Sequence, residues 1–310
     1  MDDAIGIVRA HNTPESIQAS ISSALDLIKF GRIDKVKSVI IKPNLCYYWD
    51  HTTGQTTDPC VVDGLIDWVR EQYGVNTQIQ LAEADATAMR TDHAFRMLGY
   101  KRLAQRKNVD LFNLSEDERI EKEVKVNQQT LSFSVPKSLL ETDLFINVPK
   151  LKITTIKNVY VTCALKNLFG CIASPRKIAY HKFLNEAIVG ISKVLHPHVT
   201  VVDGIFALGR YPVKLGLIMA GRNPFSIDWV GTQIMGYNPS KIEFLKIARK
   251  ERMGNPDNIV VYGEKIQTFK KEFPIMNMRR SKLSMRILIN MLKLYTKMTG
   301  DVIHPILEGI

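Results

Sequence analysis

The chain is poor in cysteine, and the four it has, Cys46, Cys60, Cys163 and Cys171, form no C-x-x-C pair. Zinc-ribbon and ferredoxin-type cluster spacings are therefore absent. No intrinsic iron–sulfur cluster is expected, and buried free thiols are the plain reading. Neither H-E-x-x-H nor a paired-histidine spacing marks a dedicated zinc site, and G-x-G-x-x-G and G-x-x-x-x-G-K-[ST] do not occur, so nucleotide binding by those signatures has no support. No apolar run reaches the roughly 18 residues that a membrane-spanning helix requires. The opening MDDAIGIVRAHN is acidic and then strand-like, unlike a signal peptide. A cytoplasmic protein is the default expectation.

What is present is an ordinary globular composition with a basic excess. The 310 residues are 45% hydrophobic and carry a formal net charge of +11, enough chain for one large α/β domain or two lobes. Nucleic acid, anionic lipid and acidic small molecules are all compatible with that charge. About half of the excess lies in residues 264–310. Within 278–297 there are six basic residues and no acidic one. On a helical wheel Lys282, Arg286, Asn290, Lys293 and Lys297 make a narrow polar stripe, with apolar residues over most of the rest. A wide apolar arc reads as a helix packed on the domain or a partner. A basic helix lying on a membrane surface is the sharper alternative. Nucleic acid is disfavoured, because no recognition motif accompanies the charge.

Short apolar, β-branched runs at 5–9, 38–41, 78–82, 109–113, 144–148, 200–202 and 215–220 read as strands, several near-continuous and suited to burial on both faces. Helices are expected at 14–30, 59–73, 91–98, 183–195 and 224–235. Thr13 and Asp58 act as N-caps, each followed by a proline at the first helical position. The βαβα order predicts an α/β fold, a mostly parallel sheet with helices on both faces. Residues 120–135 alternate and read as a polar antiparallel hairpin or edge. The expected organisation is an α/β domain over 1–263, possible to divide into two lobes, and a basic, helical C-terminal extension over 264–310.

The segment 144–170, LFINVPKLKITTIKNVYVTCALKNLFG, starts as an apolar strand and then gathers Asn147, Lys150, Lys152, Lys157, Asn158, Lys166 and Asn167. Its four lysines have no acidic residue among them, so they need an anion or a carboxylate from elsewhere in the fold. Other strand runs also end in polar residues: 38–41 in Lys42-Pro43-Asn44, 78–82 in Glu83, and 200–202 in Asp203-Gly204. In open α/β sheets ligands bind beyond the carboxyl ends of the strands, which predicts one crevice where these groups meet. Each residue alone also has a structural reading. Lys42 precedes a turn-setting proline, Asp203-Gly204 is a turn pair, Glu83 suits a helix cap, and Asn147 suits a loop backbone. The loop 47–58 offers Thr56, Thr57 and a helix start as an anion seat, with Gly54 as a candidate hinge and Asp58 as the competing N-cap. His181 follows a basic loop and is a candidate base or phosphate contact. A carboxylate-bound Mg²⁺ at Glu83, Asp203 or Asp228 stays open.

The segments IIKPNL (40–45), TTDP (56–59), AEA (82–84), FINVPKLK (145–152), CALKNLFG (163–170), VVDGI (201–205) and MAGRNPFSIDWVG (219–231) together resemble the domain of unknown function 362 family. The resemblance covers most of residues 36–240. It implies an α/β protein, and many members carry ferredoxin-type cysteine motifs for [4Fe-4S] clusters, which makes a redox link an implication of the family. This chain lacks those cysteines, and Thr154 stands where histidine is common after the PKL segment. The signature positions carried over are Lys42, Asn44, Thr57, Asp58, Glu83, Asn147, Lys150, Lys152, Lys166, Asn167, His181, Asp203 and Asp228.

The expected function is an enzyme-like protein acting on an anionic small molecule. Lys42, Lys150, Lys152 and Lys166 would hold phosphate or carboxylate, and Asn44, Asn147 and Asn167 would orient the substrate. Glu83 or Asp203 would accept a proton or ligate Mg²⁺. Redox chemistry with a separate electron-donor protein is one version; a transfer or lyase step is another. On this reading Lys150→Ala removes ligand binding and spares stability. The alternative is a non-catalytic module docked on a membrane surface or protein partner through 278–297, which would make it peripheral to a membrane.

Overall fold

A computed structural model describes residues 3–276, apart from 32, 87, 88, 155, 157, 158, 175 and 176. Lys157, Asn158 and the basic helix expected at 278–297 lie outside the described residues. The strands are β1 (Asp3–Arg9), β2 (Ser38–Pro43), β3 (Gln78–Glu83), β4 (Asp110–Asn113), β5 (Arg119–Val126), β6 (Gln129–Pro136), β7 (Leu144–Val148), β8 (Lys150–Ile153), β9 (Val161–Thr162), β10 (Val199–Leu208), β11 (Pro212–Gly221) and β12 (Ile259–Gly263). The helices are α1 (Pro14–Leu27), α2 (Pro59–Tyr73), α3 (Thr91–Met97), α4 (Tyr100–Lys107), α5 (Lys137–Glu141), α6 (Ala164–Phe169), α7 (Leu184–Val194), α8 (Pro224–Ile234), α9 (Glu243–Lys250) and α10 (Ile266–Glu272).

The main sheet runs in the order β12-β1-β11-β10-β7-β2-β3-β4, with β8 attached to β10 and β9 to β8. Neighbours along the main path are parallel except where β11 lies antiparallel between β10 and β1. The β10–β11 hairpin explains this reversal, since a tight turn at residues 209–211 forces antiparallel pairing. The mixed α/β architecture is thus mostly parallel, as the alternation of apolar runs and helices requires.

Side chains of the central strands alternate between two apolar cores. Val39 and Ile41 of β2, and Leu144, Ile146 and Val148 of β7, join the core with Ile17 and Ile21 of α1 and Val61 and Leu65 of α2. Ile40 and Phe145 join the opposite core with Leu165 and Leu168 of α6 and Ile188 of α7. Two helix starts follow the expected logic. Thr13 accepts a hydrogen bond from Ser16 N, and Asp58 from Cys60 N, each followed by proline.

Residues 120–135 lie in a separate two-stranded sheet of β5 and β6. Leu131, Phe133 and Val135 bury one face of it, which packs against α7. At the other end of the domain the chain continues past the boundary expected at 263. Phe269 of α10 and the following Phe273 are buried, and Arg9 bonds Glu272 at 2.7 Å. Residues 264–276 therefore pack as part of the α/β domain.

Candidate functional site

The alternation of β2 and β7 sets the first half of the site. Lys42 shares a strand face with Ile40, and Asn147 with Phe145, so both look toward the α6 side of the sheet. Lys42 is fully buried. Its ammonium bonds both carboxylate oxygens of Glu83 at 2.8 and 2.9 Å, the carbonyl of Pro43 at 2.8 Å and Asn167 Oδ1 at 3.4 Å. Glu83 also accepts from the backbone N–H of Leu45 and Ala84. A buried charge needs this degree of satisfaction. Gly170 makes room for it, since a Cβ there would stand 3.2 Å from Lys42 Nζ.

An amide chain continues from that pair. Asn147 Nδ2 donates to Ala164 O and Thr200 Oγ1, both at 3.3 Å, and its Oδ1 accepts from Asn167 Nδ2 at 2.8 Å. Asn167 Oδ1 in turn accepts from Asn44 Nδ2 at 3.0 Å, and Asn44 Oδ1 accepts from Lys152 Nζ at 2.8 Å. The three asparagines thus fix α6 to the strand ends, and one strand-end amide touches the second lysine of β8.

The second half lies on the α2 side, because Asp203 shares its strand face with Val201 and Ile205. Lys150 and Asp203 form an ion pair at 2.8 Å with neither side chain exposed. Asp203 also accepts from the backbone N–H of Asp58 at 2.7 Å and of Ile205 at 2.9 Å. The expected turn at Asp203-Gly204 is instead the middle of β10, which runs on to Leu208; the carboxylate lies level with the end of β7, where Asp203 N bonds Pro149 O. Burial and the nearby Asp203 carboxylate raise the Asp58 pKa above the usual carboxylate range, while His51, 3.4 Å away, acts in the opposite direction.

The helix start expected as an anion seat is occupied by the protein's own groups. Asp58 caps α2. Thr57 Oγ1 accepts from Asn44 N and donates to Val148 O, and Thr56 Oγ1 donates to Trp49 O. Gly54 is a fixed turn. Its φ is +70°, and a Cβ there would stand 2.7 Å from the Ala207 carbonyl carbon, a position that requires glycine.

The three carboxylates considered for Mg²⁺ do not converge: among the described residues no three His, Cys, Asp or Glu side chains come together as a metal site. Asp228, on α8, accepts from Ala164 N at 2.6 Å and Leu165 N at 3.1 Å, which caps α6. Burial pushes its pKa up to about 7 against those hydrogen bonds. The Cys163 thiol beside it is pushed well above its ordinary value by burial.

Once Lys42 and Lys150 are paired, the three further lysines of this cluster, Lys152, Lys166 and Lys177, form no ion pair with a described residue. Lys152 donates to Asn44 Oδ1 and, at 2.5 Å, to the carbonyl of Gln55. Lys177, which the sequence places in an unremarkable basic loop, is buried and donates to Gly170 O at 2.7 Å. Lys166 lies over the Phe169 ring at 4.5 Å and hydrogen-bonds to no described residue. It keeps a partly open surface, although the surrounding protein desolvates it strongly.

These lysines depress one another. Burial lowers the pKa of Lys152, with Lys150 and Lys42 adding repulsion. It lowers Lys166 to about 8, helped by Lys152 and Lys42, and Lys177 to about 8, helped by Lys42 and Lys166. His181 is exposed; its imidazole is held below its usual value by surrounding protein and by Lys166. Of these lysines only Lys42 pairs with Glu83, whose charge also acts on Lys152 and Lys177. Lys177 and His51 carry no sequence signal for the site, because nothing in the local spacing of Lys177 separates it from a solvated lysine.

A thylakoid-associated protein of Synechocystis is 31% identical over 134 residues, 39% of this chain and 40% of that protein. The chain thus spans about two fifths of that relative's length. The lactate racemase apoprotein from Thermoanaerobacterium thermosaccharolyticum aligns over 76% of this chain and 57% of its own, with 14% identity and a TM-score of 0.39, a likeness too loose to bear on chemistry. Residues 39–233, which hold every signature segment from β2 to α8, match the family described as domain of unknown function (DUF362), and the chain belongs to that family.

Proposed function

We propose that this protein binds a small anionic molecule, a phosphate or carboxylate, at Lys152, Lys166 and Lys177, with Asn44 and Asn167 orienting it. The observation that carries the proposal is the charge imbalance. Three buried or half-buried lysines have no ion-pair partner among the described residues, while Lys42 and Lys150 beside them do. Like charges held together in a desolvated site are costly, and a bound anion removes that cost. Lys42, Glu83, Asn147, Lys150 and Asp203 then serve as the frame that holds the cations apart. A reaction on the bound anion, redox or non-redox, belongs to the same reading.

Calorimetric titration with inorganic phosphate tests it. Lys166→Gln removes one charged donor, worth about 1.5–3 kcal/mol, so affinity falls roughly ten- to hundredfold. Unchanged affinity would exclude this cluster as the site.

The thylakoid-associated relative favours a second reading, peripheral attachment to an anionic membrane through residues 278–297. No described helix is long and apolar enough to cross a membrane. Co-sedimentation with phosphatidylserine vesicles is expected for the full chain and lost on deletion of 278–310. Equal sedimentation of both forms would end this reading.

A further inference from the structure

We infer that Lys166 is a nucleophilic amine that forms an imine with a carbonyl-bearing anion, such as a 2-oxo acid, held by the neighbouring lysines. This rests on the anion-binding reading and names the substrate class for the same cluster.

Geometry singles out Lys166. The ammonium of Lys42 spends three hydrogen bonds on protein acceptors, Lys150 is locked to Asp203, and Lys152 and Lys177 donate to carbonyl oxygens. Lys166 makes no hydrogen bond to any described residue, so its nitrogen lone pair is not committed once a proton leaves. It stands on an aromatic ring in a partly open position, where a small molecule can reach it. A lysine amine is activated by desolvation in an apolar setting or by adjacent cations, and Lys166 has both. The Phe169 ring favours the ammonium, while burial, with Lys152 and Lys42, lowers the amine to about 8. Cys46 acts the other way, favouring the ammonium. His181 and Lys177 are the remaining titratable groups that feel its charge.

The step balances without a co-reactant. The Lys166 amine attacks the carbonyl carbon and a C–N bond forms. The carbonyl oxygen leaves as water with the two amine protons, which leaves a C=N bond. Lys152 and Lys177 retain N–H donors for the carboxylate of the same molecule, since an ammonium has three and these use two and one.

Trapping with pyruvate and sodium borohydride, followed by peptide mass spectrometry, tests the inference. One reduced adduct is expected on Lys166, several-fold above any exposed lysine, with labelling that rises as pH passes through about 8. Lys166→Arg keeps the charge and removes the nucleophile, so it should give no adduct. Label spread evenly over surface lysines, or retained in Lys166→Arg, overturns the covalent step. Phosphate binding without trapping defeats this inference alone; failure to bind either anion defeats the anion site as well.

Discussion

Lys150 and Lys152 stand two residues apart on β8, where alternation gives them the same strand face, yet they have different fates. Opposite Lys150 in register on β10 is Asp203; opposite Lys152 is Leu208. The first lysine therefore meets a carboxylate and closes into a neutral, buried pair. The second has a leucine across from it and bonds the Asn44 amide and the Gln55 carbonyl, so its charge is solvated by dipoles but not cancelled. A buried lysine is thus a scaffold where the facing strand supplies an acid, and a cation available to a ligand where it does not.

The largest test of this contrast is Lys150→Ala. The sequence alone suggested that this change would spare stability and remove ligand binding; the pair reverses that. Removing one partner leaves Asp203 charged and buried, a loss of about 3–5 kcal/mol in urea unfolding. Replacing both residues together, Lys150→Met with Asp203→Leu, should recover much of it. A Lys150→Ala variant as stable as the parent would break the comparison.

Asn44→Asp sharpens it from the other side, with a smaller effect. It changes one atom and gives Lys152 a carboxylate at the position of an existing 2.8 Å contact, which makes the second lysine resemble the first. Phosphate affinity should fall about tenfold or more, roughly 1.4 kcal/mol. Stability should change less than in Lys150→Ala, because the new acid repels Asn167 Oδ1 while it attracts Lys152. Undiminished affinity would mean that the charge of Lys152 does not serve the anion.

Much of the scaffold was legible in the residues. The β-branched runs, the Thr13-Pro14 and Asp58-Pro59 helix starts and the alternating 120–135 segment each express a local preference that tertiary packing did not override. The site was legible in part. Lys42, Asn44, Glu83 and Asn147 come together as their places at strand ends suggest, joined by Lys152 of β8 and Asn167 of α6, while Asp228 caps α6, Asp58 caps α2 and Thr57 is spent on the backbone of Asn44 and Val148. Lys177 and His51 gave no signal, since both sit in short 3-10 turns whose burial depends on distant strands.

The sequence by itself determined the α/β class, the strand ends at which polar groups collect, and an excess of cations in residues 144–170. Tertiary structure alone decided which cations are neutralised. That choice depends on which residue of β10 lies across from each position of β8, and on α6 placing Lys166 where no carboxylate among the described residues pairs with it. Charge is written into single residues, but whether it is cancelled is a property of pairs that only the register of distant strands brings within about 3 Å.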